Sequence, residues 1–93
     1  NMTEYEKVEI YNVTNGERFS TYLIAAEAGS KTVSINGAAA HKASPEDIII
    51  ICSYVSMHED QMLNHKPTLV YFDETNEIVD IKSSIPTQRI RSL

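Results

Sequence analysis

Asn15-Gly16 lies between a run of alternating polarity and a second strand-like run, and this arrangement constrains the chain more than any other feature. Both residues tolerate positive φ, so the pair favours a tight reversal, and a reversal between two strand-like runs makes a β-hairpin. Before it, residues 7–13 put Val8, Ile10 and Asn12 on one face and Lys7, Glu9, Tyr11 and Val13 on the other. After it, residues 18–25 read as the partner strand. That strand carries a guanidinium, Arg18, and a phenol, Tyr22, which a regular strand points to one face. Further on, Asn36-Gly37-Ala38-Ala39-Ala40 offers a turn of small side chains whose peptide groups a ligand can approach closely.

The rest of the chain continues in short strands. Residues 30–36 are expected as a third strand, bounded by Gly29 and Gly37. Ser44-Pro45-Glu46-Asp47 has the pattern of a helix start, and with Ile48 so close only a short helical turn fits. Residues 48–57 open on an unbroken β-branched run, which predicts a central strand buried on both faces. A brief helix is expected over 58–64, ending before Pro67, and two more strands over 68–73 and 77–81. Residues 83–93 are polar, contain Pro86, Arg89 and Arg91, and read as a mobile tail. The expectation is a mainly β fold, a small barrel with one or two short helical turns, as a single domain over residues 1–82. The chain opens on Asn1-Met2-Thr3-Glu4 and lacks strands that a barrel needs for closure, so it reads as part of a larger polypeptide.

Composition narrows the functional classes. A chain of 93 residues makes one small domain at most, and such domains often lean on partner subunits. A net charge of −5 argues against nucleic acid as the main ligand, since phosphate backbones need clustered Lys and Arg. A small carboxylate then requires a local cation, and Arg18 beside the Gly/Ala turn is the candidate. Cys52 is the lone cysteine, so no internal disulfide forms, and its apolar surroundings suit a buried structural thiol. His41, His58 and His65 lack metal-ligand spacing, so no metal site is expected. No signal peptide or membrane-length apolar run is present, which makes a soluble cytoplasmic protein the default expectation.

The segments Asn12-Val-Thr-Asn-Gly16, Arg18-Phe-Ser-Thr-Tyr22 and Asn36-Gly-Ala-Ala-Ala-His41, with Asp47-Ile-Ile-Ile-Ile51 and His65-Lys-Pro67, occur in an order that resembles the pyruvoyl-dependent aspartate 1-decarboxylases. The resemblance covers nearly everything from Glu6 to about Asn76. It implies a double-psi β-barrel assembled as a homotetramer with active sites between subunits. It also implies a proenzyme (a zymogen) that cleaves itself at a Gly-Ser bond, converting the Ser into a pyruvoyl group. That Ser and the N-terminal beta chain preceding it lie upstream of the segment seen here. Gly29-Ser30 is also a Gly-Ser pair, but it occupies a turn that the family keeps uncut.

The implied reaction is decarboxylation of L-aspartate to β-alanine through a Schiff base with the pyruvoyl carbonyl, feeding pantothenate and coenzyme A synthesis. Tyr22 matches the family's proton donor; a phenol stays protonated through the neutral range. Arg18 can clamp a carboxylate in a planar, two-bond geometry. Holding the departing carboxylate would favour the reactant over the transition state, so Arg18 is expected on the side-chain carboxylate that survives in β-alanine. Thr21 matches a family threonine near the cleavage and pyruvoyl site, where it assists self-processing, and is expected among the substrate-binding residues, although strict alternation sets it opposite Tyr22 and a twist or bulge would be needed to bring both to one site. Asn36, Gly37, Ala38, Ala39 and Ala40 match the substrate and cofactor surround, and Tyr11 and Ile50 match pocket-wall positions.

Each of these residues also has a purely structural reading. Tyr22 could be a barrel tyrosine with only its hydroxyl at the rim, and Arg18 could pair across the hairpin with Glu9 or Glu17. Asn36-Gly37 with small neighbours is also an ordinary tight turn, and Tyr11 and Ile50 could be core. The alternative function is a non-catalytic β-barrel module for binding or assembly.

Overall fold

A computed structural model describes residues 2–85. They form two compact units divided between Ser56 and Met57. Residues 86–93, with most of the expected tail, lie outside the described residues.

The first unit is built on a three-stranded antiparallel sheet. Strand β1 (Lys7–Asn12) is central, flanked by β2 (Arg18–Tyr22) and β3 (Ile49–Cys52). The alternation of β1 is realised as expected: Val8, Ile10 and Asn12 are buried while Lys7 is exposed. Central position explains this, because only β1 has a neighbour on each edge. Pairing with β2 continues past the strand ends through Leu23 N–H to Glu6 O at 3.0 Å and Tyr5 N–H to Leu23 O at 2.7 Å.

The hairpin turn is longer than a two-residue reversal. Gly16 takes a left-handed φ of +78° and Asn15 does not. The loop is organised instead by the buried Asn12 side chain. Its Oδ1 accepts from the Thr14 and Asn15 N–H groups at 3.0 and 3.3 Å. Its Nδ2 donates to Lys42 O at 3.1 Å and to Asp47 Oδ2 at 2.8 Å. A buried amide that uses both its donors and both its lone pairs has its desolvation offset and ties three chain segments together.

Asp47 is the second member of this knot. Its Oδ2 also accepts the Ser44 N–H at 2.8 Å, and Asp47 N–H reaches Ser44 O at 3.1 Å. The segment is a turn with Pro45 second and Glu46 at φ +73°, not the expected helical turn. The bond from Asn12, then that from Ser44, holds the Asp47 carboxyl below its ordinary 3.8, with desolvation opposing.

Two expected strands differ. Residues 30–36 form no ladder; Lys31 at φ +57° interrupts any extended run there. The apolar run after Ile48 yields only the four-residue β3, at the edge of the sheet and not buried on both faces, with Ile50 half exposed. The expected Gly/Ala turn is a 3₁₀ helix over Gly37–Lys42. It packs against β2, and Asn15 Nδ2 also donates to Lys42 O at 3.0 Å.

The second unit holds the short helix α1 (Glu59–Met62), capped by His58, and the antiparallel pair β4 (Leu69–Phe72) and β5 (Ile78–Lys82). All three fall where the sequence puts them. The turn between the strands is set by Asp73 Oδ1, which accepts from Thr75 N–H at 2.8 Å, Thr75 Oγ1 at 2.8 Å and Glu77 N–H at 3.0 Å. The fold is mainly β with short helical pieces, and the described strands do not close into a barrel.

Candidate active site

The register of the first sheet decides which side chains meet. Arg18 pairs with Tyr11, Ser20 with Glu9 and Tyr22 with Lys7, without a bulge. Across the other edge of β1, Tyr11 pairs with Ile50 and Glu9 with Cys52. Directly paired residues share a face. One face therefore carries Arg18, Tyr22, Tyr11 and Ile50, four of the residues singled out in the sequence. Thr21 pairs with Val8 and turns to the opposite face with it, so this sheet does not bring Thr21 to Arg18 and Tyr22.

The Arg18 guanidinium lies over the Tyr11 ring, 4.6 Å from its centroid. Neither cross-hairpin acid takes it: Glu17 pairs with Lys42 at 3.0 Å, and Glu9 accepts a hydrogen bond from Ser20 Oγ. Among the described residues Arg18 has no ion-pair partner, so its charge remains available to an anion. Cation–π stacking leaves the N–H edge of the guanidinium open for a two-bond grip on a carboxylate.

Tyr22 is 56% exposed, and its hydroxyl has no hydrogen-bond partner among the described residues. Its ring stands 6.4 Å from that of Tyr5, tilted by 47°. Residues four apart on a strand have Cα atoms about 13 Å apart. Two side chains as long as Arg and Tyr can narrow that gap to the span of a small dicarboxylate.

Sequence reasoning missed Tyr54. It lies two residues past Cys52, in step with Ile50, and its hydroxyl sits 2.7 Å from that of Tyr11. That hydrogen bond, followed by desolvation, pushes the Tyr54 phenol up to about 12. Counting by twos from Ile50 was the available signal. A shallow cavity of about 260 Å³ is lined by Lys7, Val8, Glu9 and Tyr54, and it touches neither Arg18 nor Tyr22. The candidate site is thus an open face, not a preformed pocket.

Asn36 precedes the 3₁₀ helix in extended conformation, and its side chain makes no capping bond. His41 and Lys42 occupy the helix's last turn. The helix meets β2, the strand that carries Arg18 and Tyr22. No group of His, Cys, Asp and Glu among the described residues is arranged to hold a metal ion.

Among the described residues, one sheet face thus carries a guanidinium without an ion-pair partner and a phenol without a hydrogen-bond partner. The sequence pattern of the aspartate decarboxylase family matches residues 1–79, and the chain belongs to that family. It is 55% identical over 87 residues to the aspartate 1-decarboxylase of Tolumonas auensis, covering 94% of this chain and 69% of that protein. It is 53% identical over 85 residues to the aspartate 1-decarboxylase of Alcanivorax borkumensis, covering 91% of this chain and 68% of that protein.

Proposed function

We propose that this protein is a carboxy-lyase that removes the α-carboxylate of L-aspartate, giving β-alanine and CO2. The observation that carries the reading is that Arg18, with no ion-pair partner, and Tyr22, with no hydrogen-bond partner among the described residues, lie on one face, in a chain of this family. Arg18 holds the side-chain carboxylate, which is present in substrate and product alike and can be gripped throughout the reaction. Tyr22 returns the proton to the carbon that loses CO2. Tyr11 and Ile50 form the wall beside Arg18.

The family implies a pyruvoyl group, made from the Ser that follows the N-terminal beta chain and heads the chain released by self-cleavage. The residues present suit it: a phenol without a hydrogen-bond partner and a cation without an anion face outward together, where a carbonyl-bearing segment can be received. When bound, the group supplies an electron-accepting carbonyl for the pair of electrons left by CO2. Asn36 and the peptide groups of Gly37, Ala38, Ala39 and Ala40 would hold it. Thr21, on the other face, would serve self-processing and not aspartate binding.

Assembly belongs to the same proposal. Val8, Ile10 and Asn12 are the buried residues of the described chain, whereas Ile48, Ile50, Val55, Phe72 and Val79 are each at least half exposed. So sparse a core fits a subunit that completes a double-psi β-barrel with its beta chain and a tetramer with its copies. No helix among the described residues is long and apolar enough to cross a membrane. We place the enzyme in the cytoplasm, where β-alanine feeds pantothenate and coenzyme A synthesis.

The test is to incubate the protein expressed from its full reading frame with L-aspartate and measure β-alanine and CO2. Equimolar formation of both is expected; formation of neither overturns the proposal. Arg18→Lys refines it. The substitution keeps the charge but loses the two-bond grip, so the loss of kcat/KM on aspartate should exceed that on a non-acidic amino acid by about tenfold or more. Equal losses on the two substrates would rule out contact with the side-chain carboxylate.

A further inference from the structure

We infer that Tyr54 is a positioning residue for aspartate binding, acting by anchoring Tyr11 and through it the guanidinium of Arg18. The inference rests on the proposed decarboxylase reading of the site. It adds a residue to which nothing in the sequence reading gave a role.

The geometry is a relay of two contacts. Tyr11 stands on the central strand, directly across from Arg18 on one side and Ile50 on the other. Its ring face supports the guanidinium at 4.6 Å, and its hydroxyl is tied to that of Tyr54 at 2.7 Å. An arginine side chain on an exposed strand samples many rotamers, and each bond it makes to a carboxylate must first overcome that freedom. A stationary ring beneath the guanidinium narrows the set of rotamers. A tyrosine ring fixed only at Cβ can swing about χ1, whereas one fixed also at its hydroxyl cannot.

Tyr54 suits the anchoring role because its largest interaction is the one with Tyr11, with a smaller one to Cys52. It pairs with neither Arg18 nor Tyr22, and its hydroxyl contact is to Tyr11. The phenol raised to about 12 keeps its proton throughout the neutral range, so the bond persists wherever the enzyme works. The contact lies near the surface, with Tyr54 67% exposed, so its effect should be moderate. Tyr54 does not touch the carbon that receives a proton, so the effect should fall on substrate capture and not on turnover.

The test uses the assembled, self-processed enzyme and steady-state kinetics on L-aspartate for the unaltered protein, Tyr54→Phe, Tyr11→Phe and the double variant. Tyr54→Phe keeps the ring and removes only the hydroxyl, so folding is preserved. It should raise KM about two- to tenfold and leave kcat within twofold. Tyr11→Phe should match it, and the double variant should be no worse than either single change, because both remove the same bond. An unchanged KM in Tyr54→Phe, multiplicative losses in the double variant, or a fall in kcat alone would each overturn the relay. If the unaltered protein makes no β-alanine, the decarboxylase reading itself has failed, and that result is distinct from these three.

Discussion

The two units of this chain solve the problem of stabilising short β-strands in different ways. In the first, a central strand buries Val8, Ile10 and Asn12, and the ends of three segments are tied by one amide. In the second, β4 and β5 pair only with each other among the described residues, and Val70, Tyr71, Phe72, Ile78, Val79 and Ile81 all remain exposed. A two-stranded pair is marginal in water unless something covers one face. The candidate chemistry is on the first unit. A site that must hold a cation and a phenol in register needs a strand that cannot slip, and β1 is pinned on both edges.

Truncation at the two organising turns should separate the units most clearly. Asn12→Ala removes one of the two bonds to the Asp47 carboxylate and leaves the N–H groups of Thr14 and Asn15 without their acceptor, and should cost about 3 kcal/mol in denaturant unfolding. Asp73→Ala removes an exposed turn acceptor that takes three hydrogen bonds, and should cost about 1 kcal/mol. Equal costs at the two positions would break the contrast. A smaller effect comes from acid. Asp47 is held below 3.8, so its ionised form favours the folded state. The stability it contributes is present above pH 3.8 and lost as pH falls through the lower folded value. Thermal unfolding of Asp47→Asn and the unaltered protein should therefore converge in that acid window. A gap that stays constant down to pH 2 would deny the shift.

What could be read from the residues follows from what fixes each element locally. The alternation over residues 7–12 and the positive-φ tolerance of Gly16 are local signals for β1 and for a reversal after it, although the form of the loop is set by the Asn12 hub. The Asp73 turn and the His58 cap are also local, and their neighbours formed as expected. The isoleucine run is different: an unbroken apolar stretch gives no period, so it reports neither its pairing nor its burial. Its place at an edge comes from the register with β1. The strand expected at residues 30–36 had no ladder partner to hold it extended. Alternation correctly set Thr21 against Tyr22, and no bulge intervened. The Asn12 hub and the Tyr54 contact both depend on residues more than thirty positions away, which spacing alone cannot pair.

The central claim is that the outward phenol of Tyr22 delivers a proton to the carbon from which CO2 has departed. Tyr22→Phe, made in the assembled and self-processed enzyme, tests it most directly by the rate of β-alanine formation at saturating aspartate. The account predicts a fall in kcat of at least about a hundredfold with unfolding unchanged, as expected for loss of a general acid. A variant that forms β-alanine within threefold of the unaltered rate would contradict it.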